Sequence, residues 1–414
     1  MKVLWFSITP AGYGRQAGNG GGWIESLQRV VKKIEALELG IVFMTPVNSE
    51  EKKVQRDGVI YYPLYIHRNW CQQWYDKYTY KRIDALILER CKEVVDDFQP
   101  DIIHVFGSEW CFGLLYKYTK VPIVIHMQGC WSPYRNAEMP PGFHIWKPIP
   151  LMWYKPRRIL NYFLVNYISR ERAIREQEIL SNTRYFMGRT CWDKALTELY
   201  SPQSKYFYCS EALRFSFVNS KEKWLYQDKK KRLFITTGLC TNLKGYDVVL
   251  KTAKLLREYA KFDFVWELIG PTAAQMKIYE VHTGIKCGEV GIVPMGNQNA
   301  DVIQKKLLTC DTYIHLAYID NSPNSICEAQ YLGVPVVATY VGGVPSLFAE
   351  DYDNRLLVPT NDPYYTASTI ISLMQNMERM KMASESNFKI AHERHDDERI
   401  GMDLMRCYRA IVGE

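Results

Sequence analysis

The chain has 414 residues, which is too long for one ordinary domain, so we expect two. Hydrophobic residues make up 47% of the sequence, which is typical of a globular protein, and no apolar run approaches the ~20 residues of a transmembrane helix. The net charge of +7 is mild and the basic residues form no nucleic-acid-reading motif, so the expected partner is an anionic small molecule or a membrane surface, not nucleic acid.

The cysteines and the first residues indicate a cytoplasmic protein. The 11 cysteines lack C-x-x-C pairs and histidines at zinc spacing, so we expect reduced, packed thiols and neither a structural metal nor a disulfide scaffold. The opening sequence MKVLWFSITPAG has an apolar run that Pro10 interrupts, which is too short for the core of a signal peptide. It predicts a first buried strand instead.

A glycine-rich loop separates the first predicted strand, residues 2–8, from a predicted helix at about 24–37. Such a loop is typical of a phosphate or sugar cradle, and a flexible surface loop is the alternative. Gly12 and Gly14 match the first two glycines of a dinucleotide fingerprint. However, the loop is too long and the next strand, 40–44, has no acidic residue for the ribose of NAD, so NAD is not the expected ligand.

Strands alternate with helices through the rest of the first half. Strands are predicted at 59–66, 101–107, 122–128 and 185–189, and a helix at 75–98. This alternation predicts a doubly wound parallel sheet, in which ligands bind at the carboxyl ends of the strands. Glu109 and Gln128 are therefore expected at the mouth of a cleft, with His126 packed in its strand. Glu211 and Arg214 are expected to form a structural ion pair near the domain boundary.

The segment 143–170 mixes prolines, aromatic residues and basic residues. A predicted amphipathic helix in it carries Arg157, Arg158, Tyr162, Phe163 and Tyr167. This composition suits the headgroup layer of a membrane, and it equally suits a lid that stacks on the apolar faces of a sugar. A core helix with a solvated basic face is the third alternative. Peripheral contact with the inner face of a membrane therefore stays open.

The second half repeats the alternation of strands and helices. The charged run KEKWLYQDKKKR, residues 221–232, predicts an interdomain linker, which sets the two domains at 1–220 and 221–396. Strands are predicted at 233–237, 264–270, 290–294, 312–318 and 334–339, and helices at 246–259, at 301–309, from 364 onward and at 398–412.

The most informative stretch is DTYIHLAYIDNSPNSICEAQYLGVPVVATYVGGVPSL, residues 311–347. Ser322 suits an N-cap, and Pro323 suits the first helical position, where a missing N–H costs nothing. The helix is expected to pass through Glu328 and to stop at Gly333. A buried parallel strand and a Gly-Gly turn follow.

The start of this helix predicts an anion site. The N–H groups of Asn324, Ser325 and Ile326 are expected to be unpaired, and together with the helix dipole they suit a diphosphate. Glu328 is placed to accept hydrogen bonds from a ribose diol, and Asp320 lies where a sugar on the diphosphate would project. An ordinary βαβ unit with a capped helix is the alternative.

The pattern of an acid, seven residues, a Glu, a G-x-P-V-V-A strand and a Gly-Gly turn resembles the Glu-x7-Glu motif of retaining, family-4 type glycosyltransferases. The sequences GRTCWDKALTELYSP and YFYCSEALRFSF resemble the same enzymes, most clearly those of bacterial surface-polysaccharide assembly. The resemblance implies an α/β, GT-B fold of two facing Rossmann-like, doubly wound domains with an interdomain cleft. It also implies that a C-terminal helix within 397–414 crosses back onto the first domain.

The resemblance assigns donor contacts to several residues. It implies that Glu328 binds the nucleotide ribose and that Asp320, one methylene shorter than the usual Glu, faces the sugar. Gly21 and Gly22 match a Gly-Gly pair that lets the backbone approach the donor phosphate or the acceptor. The loop at Met295-Gly296 matches the backbone segment that seats the nucleobase.

Charged and acceptor contacts follow from the same resemblance. Lys244 matches a lysine that clamps the diphosphate, while Leu239 stands where the family usually has an Arg. Arg189 is a candidate partner for an anionic group of the donor or the acceptor. Glu109 and Gln128 are candidate acceptor-binding residues, and because many relatives have a His in place of Gln128, no imidazole proton shuttle is implied.

These features predict a retaining glycosyltransferase that takes a nucleotide-diphosphate sugar, expected to be a UDP-sugar. The expected acceptor is a hydroxyl of a saccharide or lipid-linked saccharide in polysaccharide biosynthesis. The resemblance implies that the leaving phosphate takes the acceptor proton, so neither a metal nor another cofactor is expected, and the expected catalytic residues are Asp320, Lys244 and Gln128. A UDP-sugar 2-epimerase on the same fold and a non-catalytic sugar-nucleotide-binding subunit stay as alternatives.

Overall fold

The computed structural model describes residues 1–14, 22–35, 37–48, 51–139, 141–143, 146, 149–151, 153, 156–350 and 356–413. The chain divides into two compact units. The first contains Met1–Arg135, Leu164–Ala212 and His395–Glu414, and the second contains Asn136–Phe163 and Leu213–Arg394.

The two units are built from alternating strands and helices. In chain order the strands are β1 (Lys2–Ser7), β2 (Glu38–Met44), β3 (Val54–Arg56), β4 (Val59–Leu64), β5 (Ile102–Phe106), β6 (Ile123–His126), β7 (Tyr185–Gly188), β8 (Lys205–Tyr208), β9 (Lys231–Thr237), β10 (Asp263–Ile269), β11 (Ile292–Gly296), β12 (Thr312–His315), β13 (Val336–Thr339) and β14 (Leu357–Val358). The helices are α1 (Gly22–Val31), α2 (Trp70–Thr79), α3 (Lys81–Phe98), α4 (Trp131–Ala137), α5 (Pro156–Ser181), α6 (Cys191–Tyr200), α7 (Phe215–Val218), α8 (Tyr246–Tyr259), α9 (Ala273–Thr283), α10 (Ala300–Thr309), α11 (Asn324–Tyr331), α12 (Pro363–Met374), α13 (Met377–Arg394) and α14 (Asp397–Val412).

The sheet of the first unit has the strand order β3-β4-β2-β1-β5-β6-β7-β8 and is parallel except where β3 meets β4. Phe6 of β1 lies beside Val42 on one side and Val105 on the other. Residues 3–6 are fully buried, as a parallel strand covered on both faces requires. Helix α14 packs in this unit, where the indole N–H of Trp5 donates to the Tyr408 hydroxyl at 3.0 Å.

The sheet of the second unit has the order β11-β10-β9-β12-β13-β14, and all its pairings are parallel. From β9 the chain adds β10 and β11 on one side, then returns and adds β12 and β13 on the other. This reversal creates a crevice at the carboxyl ends of β9 and β12, the usual position of a ligand in an open α/β sheet. The predicted α/β class with two doubly wound sheets is confirmed.

The predicted linker is part of the second unit. Trp224 is buried, its backbone N–H donates to the Leu332 carbonyl at 2.8 Å, and its indole N–H donates to the Cys310 carbonyl at 2.7 Å. Because these contacts bind residues 221–232 to the second unit, the boundary falls after Ala212 and not after residue 220. Most charged side chains of the run are exposed, but Arg232 is buried in an ion pair with Asp311.

Residues 136–163 also belong to the second unit, although the predicted first domain included them. The ring of Phe143 stacks on that of His282 with centroids 3.9 Å apart. The Asn242 side chain donates to the Glu138 carbonyl at 3.2 Å. These contacts join residues far apart in sequence, so local pattern gives no sign of them.

Several predicted elements end elsewhere. The predicted helix 75–98 is broken at Tyr80, whose φ is +38°, into α2 and α3. The predicted strand 312–318 ends at His315, because the following residues turn until the Tyr318 N–H reaches the Leu243 carbonyl at 2.8 Å. None of the described helices combines the length and the apolar composition needed to cross a membrane.

Candidate functional site

Two loops meet at the crevice of the second unit, one after β9 and one after β12. The Tyr318 N–H to Leu243 carbonyl bond joins them. Gly245 closes the first loop with φ +66°, and a Cβ there would collide with the Leu316 carbonyl oxygen. Only glycine accepts both this backbone conformation and this close approach. The two loops thereby bring Lys244 close to Asp320, which lies 76 residues later.

Asp320 is held by two basic side chains. The Lys244 ammonium forms an ion pair with Oδ2 of Asp320, and Nε2 of His315 lies 3.0 Å from the same oxygen. The other oxygen accepts from the Asn321 N–H at 3.1 Å. Burial alone would raise the pKa of Asp320, but Lys244 and His315 outweigh it and lower the pKa below the ordinary value. Asp320 is therefore an anion that neutralises Lys244 in this structure.

The Gly-Gly turn after β13 fixes the backbone of the same residue. The Gly343 N–H donates to the Asp320 carbonyl at 3.0 Å. Gly342 has φ +50°, and a Cβ there would collide with that carbonyl oxygen. The turn noticed in the sequence thus contacts the backbone of Asp320, while Lys244 contacts its side chain.

The start of α11 differs in part from the prediction. The helix begins at Asn324 with Pro323 in the cap position, one residue later than expected. The Ile326 N–H donates to the Pro323 carbonyl at 2.9 Å, so the prediction of a free amide at Ile326 is wrong: a tight first turn uses it. The N–H groups of Asn324 and Ser325 have no acceptor among the described residues. Two amides, not three, are available to an anion.

Glu328 lies on α11 and is only 3% exposed. The Arg214 guanidinium holds it in a bidentate pair, with Nε 2.5 Å from Oε1 and Nη2 2.6 Å from Oε2. Burial raises the pKa of Glu328, and Arg214 opposes that rise. The predicted pair of Arg214 with Glu211 is wrong, because a partner 114 residues away takes the guanidinium.

The predicted nucleobase segment lies at the end of β11. The Met295 carbonyl accepts from the Gln298 side chain at 2.9 Å. The Gly296 N–H donates to the Pro271 carbonyl at 3.0 Å, and its carbonyl accepts from the Gly270 N–H at 2.8 Å. The two carbonyl oxygens keep a second lone pair each, so a contact of Met295 and Gly296 with a base stays a prediction.

Glu109 and Gln128 lie together in the first unit, at the carboxyl ends of β5 and β6. Gly107, with φ +86°, separates their side chains, and a Cβ at Gly107 would touch both. Burial and the nearby Glu176 raise the pKa of Glu109 to about 7, and Arg189 opposes them. A carboxyl group that titrates near neutrality beside an amide suits recognition of a hydroxyl group.

The remaining candidates lie elsewhere in the first unit. Arg189 is buried, with its Nε 3.9 Å from a carboxylate oxygen of Glu211 and its guanidinium 5.0 Å from the centre of the Trp23 ring. Glu211 is therefore an anionic neighbour of Arg189 in this structure, and the predicted contact of Arg189 with the donor or the acceptor stays a prediction. Gly22 begins α1 with φ +65°, while Gly21 lies outside the described residues.

Two residues of the second-unit site were not predicted from sequence. His315 precedes Asp320 by five residues on an apolar strand, where it cannot be distinguished from a packed core histidine. Arg214 was noticed but assigned to the wrong partner. The only signal for either was a polar side chain in an otherwise apolar or boundary segment.

Residues 219–389 match the family model described as "Glycosyl transferases group 1". The matched region contains Lys244, Asp320 and Glu328. A sucrose-phosphate synthase from Thermosynechococcus elongatus superimposes with a TM-score of 0.74 at 12% identity, covering 100% of this chain and 99% of that one. The chain has the GT-B fold.

Other GT-B structures are similar over the whole chain. A glycosyltransferase from Rickettsia africae ESF-5 gives a TM-score of 0.63 at 13% identity, covering 99% of this chain and 98% of that one. Anabaena HepE, solved in complex with UDP and glucose, gives a TM-score of 0.62 at 14% identity, covering 99% of this chain and 100% of that one. No curated protein sequence matches the chain. At these identities the GT-B structures show the fold alone.

Proposed function

We propose that this protein is a retaining glycosyltransferase that uses a nucleotide-diphosphate sugar, with UDP as the nucleotide. The observation that carries the proposal is the convergence of Lys244, Asp320, two free helix-terminal amides and Glu328 at the crevice of the second unit. These groups all lie in the region that matches the glycosyl transferase family model. The ribose, the diphosphate and the sugar of such a donor each need one of these contacts.

The diphosphate binds where positive charge is available. The N–H groups of Asn324 and Ser325 and the α11 dipole attract an anion. The Lys244 ammonium is the nearby cation, and Leu239, where related motifs have an arginine, contributes no charge. On binding, the diphosphate takes a share of Lys244 from Asp320. The same contacts stabilise the charge that grows on the leaving diphosphate during reaction.

The nucleoside and the sugar occupy opposite sides of the diphosphate. Glu328 accepts hydrogen bonds from the ribose, and Met295 and Gly296 lie at the base. HepE was solved with UDP and with UDP-glucose, which supports UDP as the nucleotide here. Asp320 contacts the sugar through Oδ1, which among the described residues accepts from the Asn321 N–H.

The proposed reaction needs no protein base. The acceptor hydroxyl attacks the sugar on the face that the diphosphate leaves, and its proton goes to the departing phosphate oxygen. The new bond therefore keeps the anomeric configuration of the donor. Glu109, Gln128 and Arg189 are the proposed acceptor-side residues, and the acceptor is a saccharide or lipid-linked saccharide of polysaccharide biosynthesis.

A lipid-linked acceptor would lie in a membrane, and residues 143–170 are the proposed segment of peripheral contact with that membrane. Trp146 and Trp153 are largely exposed, and so is Arg157. Exposed tryptophans beside basic residues suit the headgroup layer of an anionic membrane. In co-sedimentation with phosphatidylglycerol vesicles, Trp146→Ala combined with Trp153→Ala is expected to leave more protein in the supernatant than the wild type. Equal partition of the two proteins would contradict this contact.

The proposal is tested by a thermal-shift screen of nucleotide sugars followed by an assay of nucleotide release. A UDP-sugar is expected to raise the melting temperature, because it binds only the folded state, and UDP is expected to be released slowly to water and faster with an acceptor. NMR of the product is expected to show the donor's anomeric configuration. A screen in which no nucleotide sugar shifts the melting temperature would refute the proposal.

The same assay separates the alternatives. The neutralisation of Lys244 by Asp320 and the leucine at position 239 favour a non-catalytic binding subunit as the second candidate. That candidate predicts tight binding of UDP-sugar with no release of UDP under any condition. A 2-epimerase would instead produce a new UDP-sugar without any acceptor.

A further inference from the structure

The Arg214 guanidinium is held in the second unit by contacts besides its pair with Glu328. Arg214 occupies the cap position of α7, and its guanidinium lies 5.0 Å from the centre of the buried Phe217 ring. Helix α7 is tied to α10 by a bond from the Gln304 side chain to the Ser216 carbonyl, at 2.9 Å. The arginine therefore approaches Glu328 from a fixed direction.

The bidentate contact determines the orientation of the Glu328 carboxylate. A guanidinium fork that meets both oxygens holds the carboxylate in one plane, which a single ammonium cannot do. Each oxygen uses one acceptor site for Arg214 and keeps another for a second donor. Two neighbouring hydroxyl groups, such as those of a ribose, match two oxygens fixed in this way.

The arginine also favours the charged form of the carboxylate. Burial raises the pKa of Glu328, and Arg214 is the cation that opposes the rise. A neutral acid would present one of its oxygens as a donor and could not accept from both hydroxyls. Orientation and charge of Glu328 thus depend on the same side chain.

We infer that Arg214 is a positioning residue that sets Glu328 to bind both hydroxyls of the nucleotide ribose and so lets the site prefer ribose to deoxyribose. The inference rests on the proposed function. Arg214 itself does not need to touch the nucleotide. It acts through the carboxylate that it holds.

The test compares the calorimetric affinities of UDP and 2′-deoxy-UDP. The wild type is expected to bind UDP about tenfold or more tightly than 2′-deoxy-UDP, which is ~1.4 kcal/mol or more for a hydrogen bond to a charged group. In Arg214→Gln this preference is expected to fall to about twofold or less. Arg214→Lys keeps the charge without the fork, and its preference is expected to lie between the two.

Arg232→Gln is the matched control. Arg232 forms a buried ion pair with Asp311 in the same unit, 3.0 Å apart, with its side chain 10% exposed against 18% for Arg214. It lies at the opposite end of β9 from the crevice. The control is expected to lose stability but to keep the ribose preference.

The outcomes separate the inference from the proposed function. If the wild type bound no UDP, the proposed function would fail and the inference with it. If UDP bound, but Arg214→Gln and Arg214→Lys both kept the wild-type ribose preference, Arg214 would be only structural and the inference would be overturned. Should Arg214→Gln fail to fold, the same comparison is made on Arg214→Lys alone.

Discussion

Replacing Lys244 with Ala removes the one side-chain cation proposed to bind the diphosphate. A unit charge about 4 Å from a phosphate oxygen is worth about 4 kcal/mol at an effective dielectric constant of about 20. Lys244 already neutralises Asp320, so the diphosphate gains only a share of this energy. Taking about half, ~2 kcal/mol, gives an affinity for UDP roughly 30-fold weaker in Lys244→Ala.

The assay is calorimetric titration of UDP and of uridine into the same proteins. Uridine has no phosphate, so its affinity is expected to be unchanged in Lys244→Ala. Lys306→Ala is the control, since the Lys306 ammonium lies 2.6 Å from a Glu267 carboxylate oxygen and its side chain is 25% exposed, against 23% for Lys244. The reasoning fails if Lys306→Ala weakens the binding of UDP as much as Lys244→Ala does. It also fails if Lys244→Ala weakens the binding of uridine and of UDP equally.

Three further predictions concern residues around the candidate sites. Gly245→Ala is expected to lower the free energy of unfolding by at least about 2 kcal/mol, because the cost of a left-handed backbone adds to that of a collision with the Leu316 carbonyl. Gly284→Ala is the control: Gly284 has φ +72° but open space around it, so the expected loss is only about 1 kcal/mol. Equal losses of the two variants in urea unfolding would contradict this. His315→Phe keeps the ring but removes its bond to Asp320, so a loss of about 1–2 kcal/mol is expected, and unchanged urea unfolding would mean that the bond contributes nothing. Because burial and the nearby Glu176 raise the pKa of Glu109 to about 7 from 4.5, its stabilising effect is complete below pH 4.5 and is lost as the pH rises to about 7. The melting temperature of Glu109→Gln relative to wild type is therefore expected to rise across that window and stay level above it, and a difference that does not vary with pH would contradict the assignment.

Local rules predicted the two sheets and the loop and helix of the candidate site well. Residues 3–6 and 334–338 are apolar and buried, and such a run is typical of a parallel strand covered on both faces. The pattern from Asp320 to Glu328 identified a loop and a helix that do lie at the reversal of strand order in the second unit. Both predictions rest on neighbours in sequence, where spacing fixes geometry.

Contacts between distant residues were not accessible to the same reasoning. The Arg214–Glu328 pair and the Lys244–Asp320 pair join positions 114 and 76 residues apart. The sequence pattern singled out all four of these residues, but it did not show which of them form ion pairs with each other. The packing of Trp224 likewise turned a charged run into part of a domain, because one buried indole outweighs the solvated lysines around it.

Short-range geometry also set limits on the prediction of the anion site. A helix start leaves its first amides unpaired in general, but how many depends on how tightly the first turn closes. Here the Ile326 amide is used within that turn, which no residue type in the motif specifies.

A crystal structure of the protein with UDP tests the central claim most directly. The expected result places a phosphate oxygen within hydrogen-bond distance of the Asn324 or Ser325 N–H, the Lys244 ammonium in contact with the diphosphate, and the ribose hydroxyls on the free sides of Glu328. UDP bound with its diphosphate away from the start of α11, or with its ribose out of reach of Glu328, would contradict the claim.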